Sequence, residues 1–216
     1  MLFRSVKLCR ISSSRTLICV TDESFNGYTQ SIAFYEYKNN KLKKIFDLAE
    51  ITRDKTNTLG NAKPSKAMKK SVALSGWARG NLVSVGKNTV KMQWSDTAGT
   101  AGIFATSMEY KIKGNKATRV GNSYKTTFSS GWPEKRLKTL TANRAFQTYT
   151  TAGGKKNAFR VKKNQKVQIV SMRVKNGKRY IRVRNNKGTT GWYQDLYKYS
   201  KSKGTTAWFK EAWFAG

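Results

Sequence analysis

The chain has 216 residues, which suits one large domain or two small ones. Lysine and arginine number 43 against 11 acids, so the net charge of +32 favours polyanionic partners. The competing explanation of this charge is a solvated surface that keeps an exported protein soluble. The absence of histidine excludes Ser-His-Asp and Cys-His catalysis as well as histidine zinc sites. Two cysteines cannot form a four-ligand metal site, and no cofactor is expected.

The start of the chain is basic and lacks the apolar run of a signal peptide. No signal peptide is therefore visible, which counts against export unless upstream sequence is missing. No apolar run reaches the length of a membrane-spanning helix, so no transmembrane segment is expected. Whether Cys9 and Cys19 pair stays open at this stage.

Alternating apolar and polar residues predict β-strands along nearly the whole chain. The predicted hairpins turn at Asn39-Asn40, Gly114-Asn115 and Asn176-Gly177. Single strands are predicted over 16–20, 82–85, 89–94 and 103–106. Residues 46–51 either continue a strand or make a short helical turn, and the polar stretch 52–71 is expected to be a surface loop.

Glycine, proline and charge at 129–136 interrupt the strand pattern and predict a domain boundary. We therefore expect an all-β protein whose amino-terminal half is an antiparallel, sandwich-like sheet domain. The predicted units are the sheet domain over 16–132, a second domain over 137–198 and an aromatic tail over 199–216. The tail contains Trp208, Phe209, Trp213 and Phe214, and we expect it to pack back on the body. The alternative is an exposed anchor for a partner or a membrane surface.

The second domain contains short β motifs in a recognisable order. They are Thr141-Ala-Asn, Tyr149 with the loop Thr150-Thr-Ala-Gly-Gly, Lys162-Lys-Asn-Gln-Lys-Val, Asn176-Gly-Lys-Arg-Tyr-Ile-Arg-Val and Lys187-Gly-Thr-Thr-Gly-Trp-Tyr. This order resembles the bacterial SH3-like (SH3b) family, which implies a small SH3-like β-barrel. The closing Gly191-Trp192 is expected where the backbone passes closely under a large ring.

The resemblance also implies a function. SH3b domains commonly occur in exported bacterial proteins, and some bind peptidoglycan or wall teichoic polymers. The cell-wall peptidase that often accompanies them needs Cys and His, so a peptidase is rejected for this histidine-free chain. The string from Phe34 to Ile45 and the ending Trp208-Phe-Lys-Glu-Ala-Trp-Phe-Ala-Gly resemble surface proteins of gut Clostridia-type Firmicutes. This implies a secreted or cell-surface protein of a Gram-positive bacterium, or a cytoplasmic one if the start is genuine. Because such proteins normally begin with a signal peptide, the resemblance also implies that residues 1–15 are a leader or a misread start.

Residues 137–198 are strongly basic, with sixteen Lys or Arg and the single acid Asp195. Strand alternation is expected to gather cations beside aromatic rings, where they could grip phosphates and stack on a sugar or base. The candidate ligand-binding residues are Arg173, Lys175, Lys178, Arg179, Arg182, Arg184, Trp192 and Tyr193. The competing interpretation is a solvated strand face whose opposite side, with Val174, Ile181 and Val183, forms the core. Trp192 is itself a core candidate.

No motif ties two of the eleven acids together for glycoside hydrolysis, and no nucleotide-binding or serine-nucleophile motif occurs. We therefore expect a non-catalytic binding protein rather than an enzyme. The expected partner is an anionic cell-wall polymer or peptidoglycan, bound at the cell surface. The alternatives are nucleic acid, bound through the same cations, and a role as a protein–protein interaction module.

Overall fold

The computed structural model describes residues 2–23, 29–52, 79–128, 135–176, 178–195 and 207–212. These residues form antiparallel β-structure almost throughout, which confirms the all-β fold class. The elements are β1 (Leu2–Ser12), β2 (Arg15–Glu23), β3 (Thr29–Lys38), β4 (Lys41–Asp47), α1 (Leu48–Thr52), β5 (Arg79–Gly86), β6 (Thr89–Ala98), β7 (Gly102–Lys113), β8 (Lys116–Arg119), β9 (Ser123–Thr127), β10 (Thr139–Thr141), β11 (Phe146–Tyr149), β12 (Asn157–Val161), β13 (Lys166–Lys175), β14 (Lys178–Arg184) and β15 (Thr190–Gln194). A 3-10 turn, Lys135–Lys138, precedes β10. No helix in the described ranges is long and apolar enough to span a bilayer.

The first sheet has four strands in the order β1-β2-β3-β4. Asn39 and Asn40 have φ values of 52° and 54°, which is the left-handed geometry of a tight hairpin turn between β3 and β4. The stretch interpreted as a leader or misread start contributes β1, which pairs with β2 along its length. Cys9 on β1 and Cys19 on β2 are buried and carry free thiols.

Residues 46–51 combine both predicted alternatives. Strand β4 runs to Asp47, and α1 follows directly. The buried Asp47 carboxylate accepts a hydrogen bond from the Ala49 amide at 2.9 Å, which caps the helix, and one from the Ile32 amide of β3 at 3.0 Å. The predicted surface loop lies outside the described residues, apart from Thr52.

The second sheet has eleven strands and runs across the predicted domain boundary. Its order is β12-β11-β15-β14-β13-β9-β7-β6-β5, with β10 also paired to β13 and β8 to β7. The join is one edge of β13, where β10 pairs with residues 166–168 and β9 pairs with residues 171–173. The two halves therefore share one sheet, and one contiguous apolar core extends over both sheets.

The described part of the tail, residues 207–212, packs against both halves of the eleven-stranded sheet. The Trp208 amide donates to the Thr100 carbonyl at 2.9 Å, and the Asn143 amide donates to the Trp208 carbonyl at 2.7 Å. Phe209 is buried and forms a backbone bridge with Ala142. This tail segment is therefore part of the core in the structure.

Gly191 lies where β15 passes close to β11. A Cβ atom at position 191 would lie 2.6 Å from the Cβ of Thr148 and 3.1 Å from that of Ala158. We therefore expect Gly191→Ala to lower the free energy of unfolding by about 1–3 kcal/mol, measured by urea denaturation. The control is Gly86→Ala, whose Cβ would meet only the hydroxyl of Thr89. Equal unfolding midpoints for the two variants would contradict this account of the close approach.

Candidate anion-binding surface

The pairing of β13, β14 and β15 brings most of the predicted site residues to one face of the sheet. Residues directly opposite each other in an antiparallel pair point to the same side. The opposed pairs are Lys175–Lys178, Arg173–Tyr180, Ser171–Arg182 and Arg182–Trp192. The predicted residues on this side are Arg173, Lys175, Lys178, Arg182, Arg184 and Trp192. We call this side of β13, β14 and β15 the basic face.

Arg179 and Tyr193 lie on the opposite, inward side, so the prediction that they line the same surface is corrected. Arg179 is paired with the buried Val174 and is 3% exposed, and its Nε donates to the Asp195 carboxylate at 2.9 Å. Tyr193 is paired with the buried Ile181. Burial, with the nearby charge of Asp195, raises the pKa of the Tyr193 phenol well above its ordinary value. Both side chains belong to the interior.

Two arginines cover the indole ring of Trp192. The guanidinium carbon of Arg173 lies 5.1 Å from the ring centroid and that of Arg182 lies 5.7 Å from it, within cation–π range. Trp192 is only 5% exposed, so in this arrangement its ring is not free to stack on a ligand. The ring gives each of the two cations a cation–π contact at the centre of the basic face.

The two guanidinium groups have unused hydrogen-bonding capacity. Arg182 donates from Nη2 to the Thr190 hydroxyl at 2.7 Å. Within the described part of the chain, the Nε atoms of Arg173 and Arg182 are buried and have no hydrogen-bond partner. Because these Nε atoms are closed off from solvent, an anion at the surface would interact with the guanidinium charges and their other N–H groups rather than with Nε. The pair is therefore the part of the surface best suited to an anionic group.

The loop predicted from the Thr150-Thr-Ala-Gly-Gly motif closes one end of the basic face. Ala152 is buried in a small cluster with Tyr180 and Trp192, and its carbonyl accepts a hydrogen bond from Lys175 Nζ at 3.2 Å. Gly153 has a φ of 70°, and a Cβ there would lie 3.0 Å from the Tyr180 hydroxyl. The loop that contains Ala152 and Gly153 thus covers the part of the basic face next to Tyr180 and limits the access of a ligand there.

The structure adds Lys125, which was not among the predicted site residues. Lys125 on β9 lies opposite Ser171, so Lys125, Ser171, Arg182 and Trp192 form one row across four adjacent strands. Neighbouring strands lie about 4.8 Å apart, which places the backbones of Lys125 and Arg182 roughly 10 Å from each other. The alternation of residues in β9 could have predicted that Lys125 points away from the core. The local sequence does not indicate that β9 pairs with β13, so it could not place Lys125 beside Arg182.

Asp195, the acid that could neutralise this surface, is buried and hydrogen-bonded in the interior. Asp195 is 1% exposed and accepts hydrogen bonds from Arg179, from the Gly99 and Thr100 amides at 3.2 and 3.0 Å, and from the Thr100 hydroxyl at 2.7 Å. Because Asp195 is the single acid of 137–198, residues 137–195 present cations to solvent with no exposed carboxylate among them. This leaves the positive potential of the basic face uncompensated from within that region.

In the ranges that the structure describes, no three His, Cys, Asp or Glu side chains are grouped so as to hold a metal ion. Comparisons of the chain with protein-family models, with curated proteins and with solved structures found no match. The basic face, through its geometry and charge, is the feature of the described residues that points to a function.

Proposed function

We propose that this protein is a non-catalytic binding protein whose basic face holds a phosphate-rich polyanion. The observation that carries the proposal is the pair of guanidinium groups over Trp192, on a face where residues 137–195 expose no carboxylate. Both guanidinium groups lie within cation–π distance of the same ring, so one anionic group at this point of the face is attracted by both charges. Arginine also matches phosphate oxygens with paired hydrogen bonds.

The proposed ligand is an anionic polymer of the Gram-positive cell wall, of the teichoic type, bound by an exported protein at the cell surface. The SH3b-like order of motifs in 137–198 supports this location. A teichoic polymer suits the site better than peptidoglycan, which has no phosphate groups in its backbone, because the basic face offers cations and the Trp192 ring is covered. A repeating phosphate polymer can follow the row that runs from Lys125 to Arg182.

Nucleic acid remains the alternative ligand for the same cations. Single-stranded nucleic acid is held largely by bases that stack on exposed aromatic rings. The rings at the centre of the basic face, Tyr180 and Trp192, are 8% and 5% exposed, which favours recognition of a phosphate backbone alone. Sequence-independent contact with duplex DNA is therefore the form of nucleic-acid binding to be tested.

The deciding experiment is a pull-down of the full chain with purified Gram-positive cell walls, before and after removal of teichoic polymers. We expect retention on intact walls and loss of retention on stripped walls. Duplex DNA at equal phosphate concentration serves as a competitor and should displace the protein only weakly. Absence of retention on intact walls would overturn the proposal, and preferential displacement by DNA would favour nucleic acid.

The double substitution Arg173→Gln and Arg182→Gln is expected to weaken binding to intact walls roughly tenfold or more, because charge-assisted hydrogen bonds to phosphate are lost. The salt dependence should also become shallower, since fewer counterions are released. The matched control removes two charges from exposed positions on β7, Lys111→Gln and Lys113→Gln. Equal weakening in both double variants would show that net charge, rather than the arginine pair, determines binding.

A further inference from the structure

Four hairpin turns of the amino-terminal half lie at the same end of the molecule. They join β1 to β2, β3 to β4, β5 to β6 and β7 to β8, at residues 13–14, 39–40, 87–88 and 114–115. The Asn88 amide donates to the Ile11 carbonyl at 2.9 Å, and the Asn88 carbonyl accepts from the Ile112 amide at 2.8 Å. These bonds hold the third turn beside the last residues of β1 and β7.

Arg15 connects the second turn to the fourth. Its Nε donates to the Glu36 carboxylate on β3 at 2.8 Å. Its Nη1 donates to the Gly114 carbonyl at 2.7 Å, and its Nη2 donates to the side-chain oxygen of Asn115 at 3.1 Å. One guanidinium group therefore engages the carboxylate of the β3–β4 hairpin and the tip of the β7–β8 hairpin together.

Three lysines of the β3–β4 hairpin lie on the same side of the four-stranded sheet as Glu36. Lys38 is directly opposite Lys41, and Lys43 is directly opposite Glu36. Directly opposed residues point to the same side, and alternation along β3 puts Lys38 on the side of the buried Phe34. All three lysines are exposed, because they lie beyond the covered part of that side. We call Lys38, Lys41 and Lys43 the lysine cluster.

The charges of the lysine cluster are uncompensated. In the part of the chain that the structure describes, no hydrogen bond or ion pair involves these three side chains, and the neighbouring Glu36 is engaged by Arg15. Lys44, on the other side of the sheet, is by contrast paired with Asp47 and Glu50. Directly opposed side chains have Cβ atoms about 5 Å apart, so the like charges of Lys38 and Lys41 destabilise the hairpin unless an anion lies between them.

We propose that the lysine cluster is a second anion-binding site, which takes a compact polyanion of the diphosphate type. A lysine ammonium is a point charge with three donors on a flexible stem, so several lysines can surround phosphate oxygens without a fixed orientation. The lysine cluster concentrates three charges on one short hairpin, whereas the basic face distributes its cations over several strands. A bound anion also offsets the repulsion within the opposed pair. The site is separate from the basic face and does not depend on the ligand proposed there.

The test is titration of the full chain with inorganic pyrophosphate, monitored by amide NMR spectra. We expect the amide resonances of residues 38–43 to shift and to saturate, because the anion binds beside that hairpin. The double variant Lys38→Gln with Lys41→Gln removes the opposed pair and should raise the dissociation constant measured from these resonances roughly fivefold or more. Both positions are exposed, so the variant should keep the spectrum of the folded protein.

The matched control is Lys111→Gln with Lys113→Gln, which removes two charges from the same end of the molecule. Lys111 and Lys113 flank the buried Ile112 and therefore point to the outer side of the eleven-stranded sheet, away from the lysine cluster. The control should leave the dissociation constant nearly unchanged. Equal weakening in both double variants would overturn the proposal, since net charge alone would then account for binding.

The same titration separates this site from the basic face. Pyrophosphate bound at the basic face should shift the resonances of Ser171 and Arg182 instead. Shifts at those residues with none at 38–43 would overturn the lysine cluster as a site and leave the function proposed for the basic face intact. Saturating shifts at 38–43 support the site whatever Ser171 and Arg182 show.

Discussion

Asp195→Ala is expected to lower the free energy of unfolding by about 3–5 kcal/mol, the usual effect of removing one partner from a buried ion pair. The substitution takes the carboxylate from the Arg179 guanidinium, which is itself 3% exposed. It also removes the acceptor for the Gly99 and Thr100 amides, which form the turn between β6 and β7. The measurement is urea denaturation, monitored by circular dichroism.

Two companion variants separate these contributions. Arg179→Met leaves Asp195 with its three hydrogen bonds from Gly99 and Thr100, so we expect a smaller loss than for Asp195→Ala. Asp195→Asn retains an acceptor oxygen and the side-chain shape, so its loss of unfolding free energy should lie between those of Arg179→Met and Asp195→Ala. If Asp195→Ala unfolds at the same urea concentration as the unmodified protein, the carboxylate does not link β15 to the β6–β7 turn.

Local chemistry made the hairpins predictable. A paired Asn-Asn or Asn-Gly turn between alternating segments specifies both the turn and the register of the strands beside it. The turn at Asn39-Asn40 and the pairing of β13 with β14 across Asn176 follow this rule. The pairing of Met172 with Tyr124, which joins the two halves into one sheet, depends on packing between segments far apart in sequence. No local pattern encodes such a contact.

The placement of Arg179 was predictable from alternation, and that of Tyr193 was not. Arg179 is in phase with Ile181 and Val183, both of which are buried, so the same rule that puts Arg182 outside puts Arg179 inside. Trp192 and Tyr193 are adjacent aromatic residues, and either could face the core. The pairing of Ile181 with Tyr193 decides between them.

Strand β1 shows a different limit of sequence reasoning. Val6 and Leu8 lie in the stretch interpreted as a leader or misread start, which removed them from the predicted sheet. The structure pairs that stretch with β2 and brings Leu8 beside Ile18. An exposed apolar face in a strand has the same alternation as a buried one, so periodicity alone does not indicate which side is covered.

Phe209→Ala is expected to lower the free energy of unfolding by about 3–5 kcal/mol, the range for removing a buried aromatic side chain. Phe209 is 1% exposed, and its ring lies 5.8 Å from Phe146 and 6.3 Å from Tyr193, measured between centroids. The Phe146 and Tyr193 rings also pack on Trp208, so the cavity opens within an aromatic cluster. Urea denaturation again provides the measurement.

Trp208→Ala is the comparison that distinguishes a core tail from an exposed anchor. Trp208 is partly exposed, and its outer ring contact is Arg144 at 5.3 Å, so its loss should cost less than that of Phe209. If the tail belongs to the core, Phe209→Ala should have the lowest urea unfolding midpoint. Trp208→Ala should have an intermediate midpoint, and the unmodified protein should have the highest. If both variants are as stable as the unmodified protein, the rings do not support the fold, and the anchor interpretation of the tail becomes the better one.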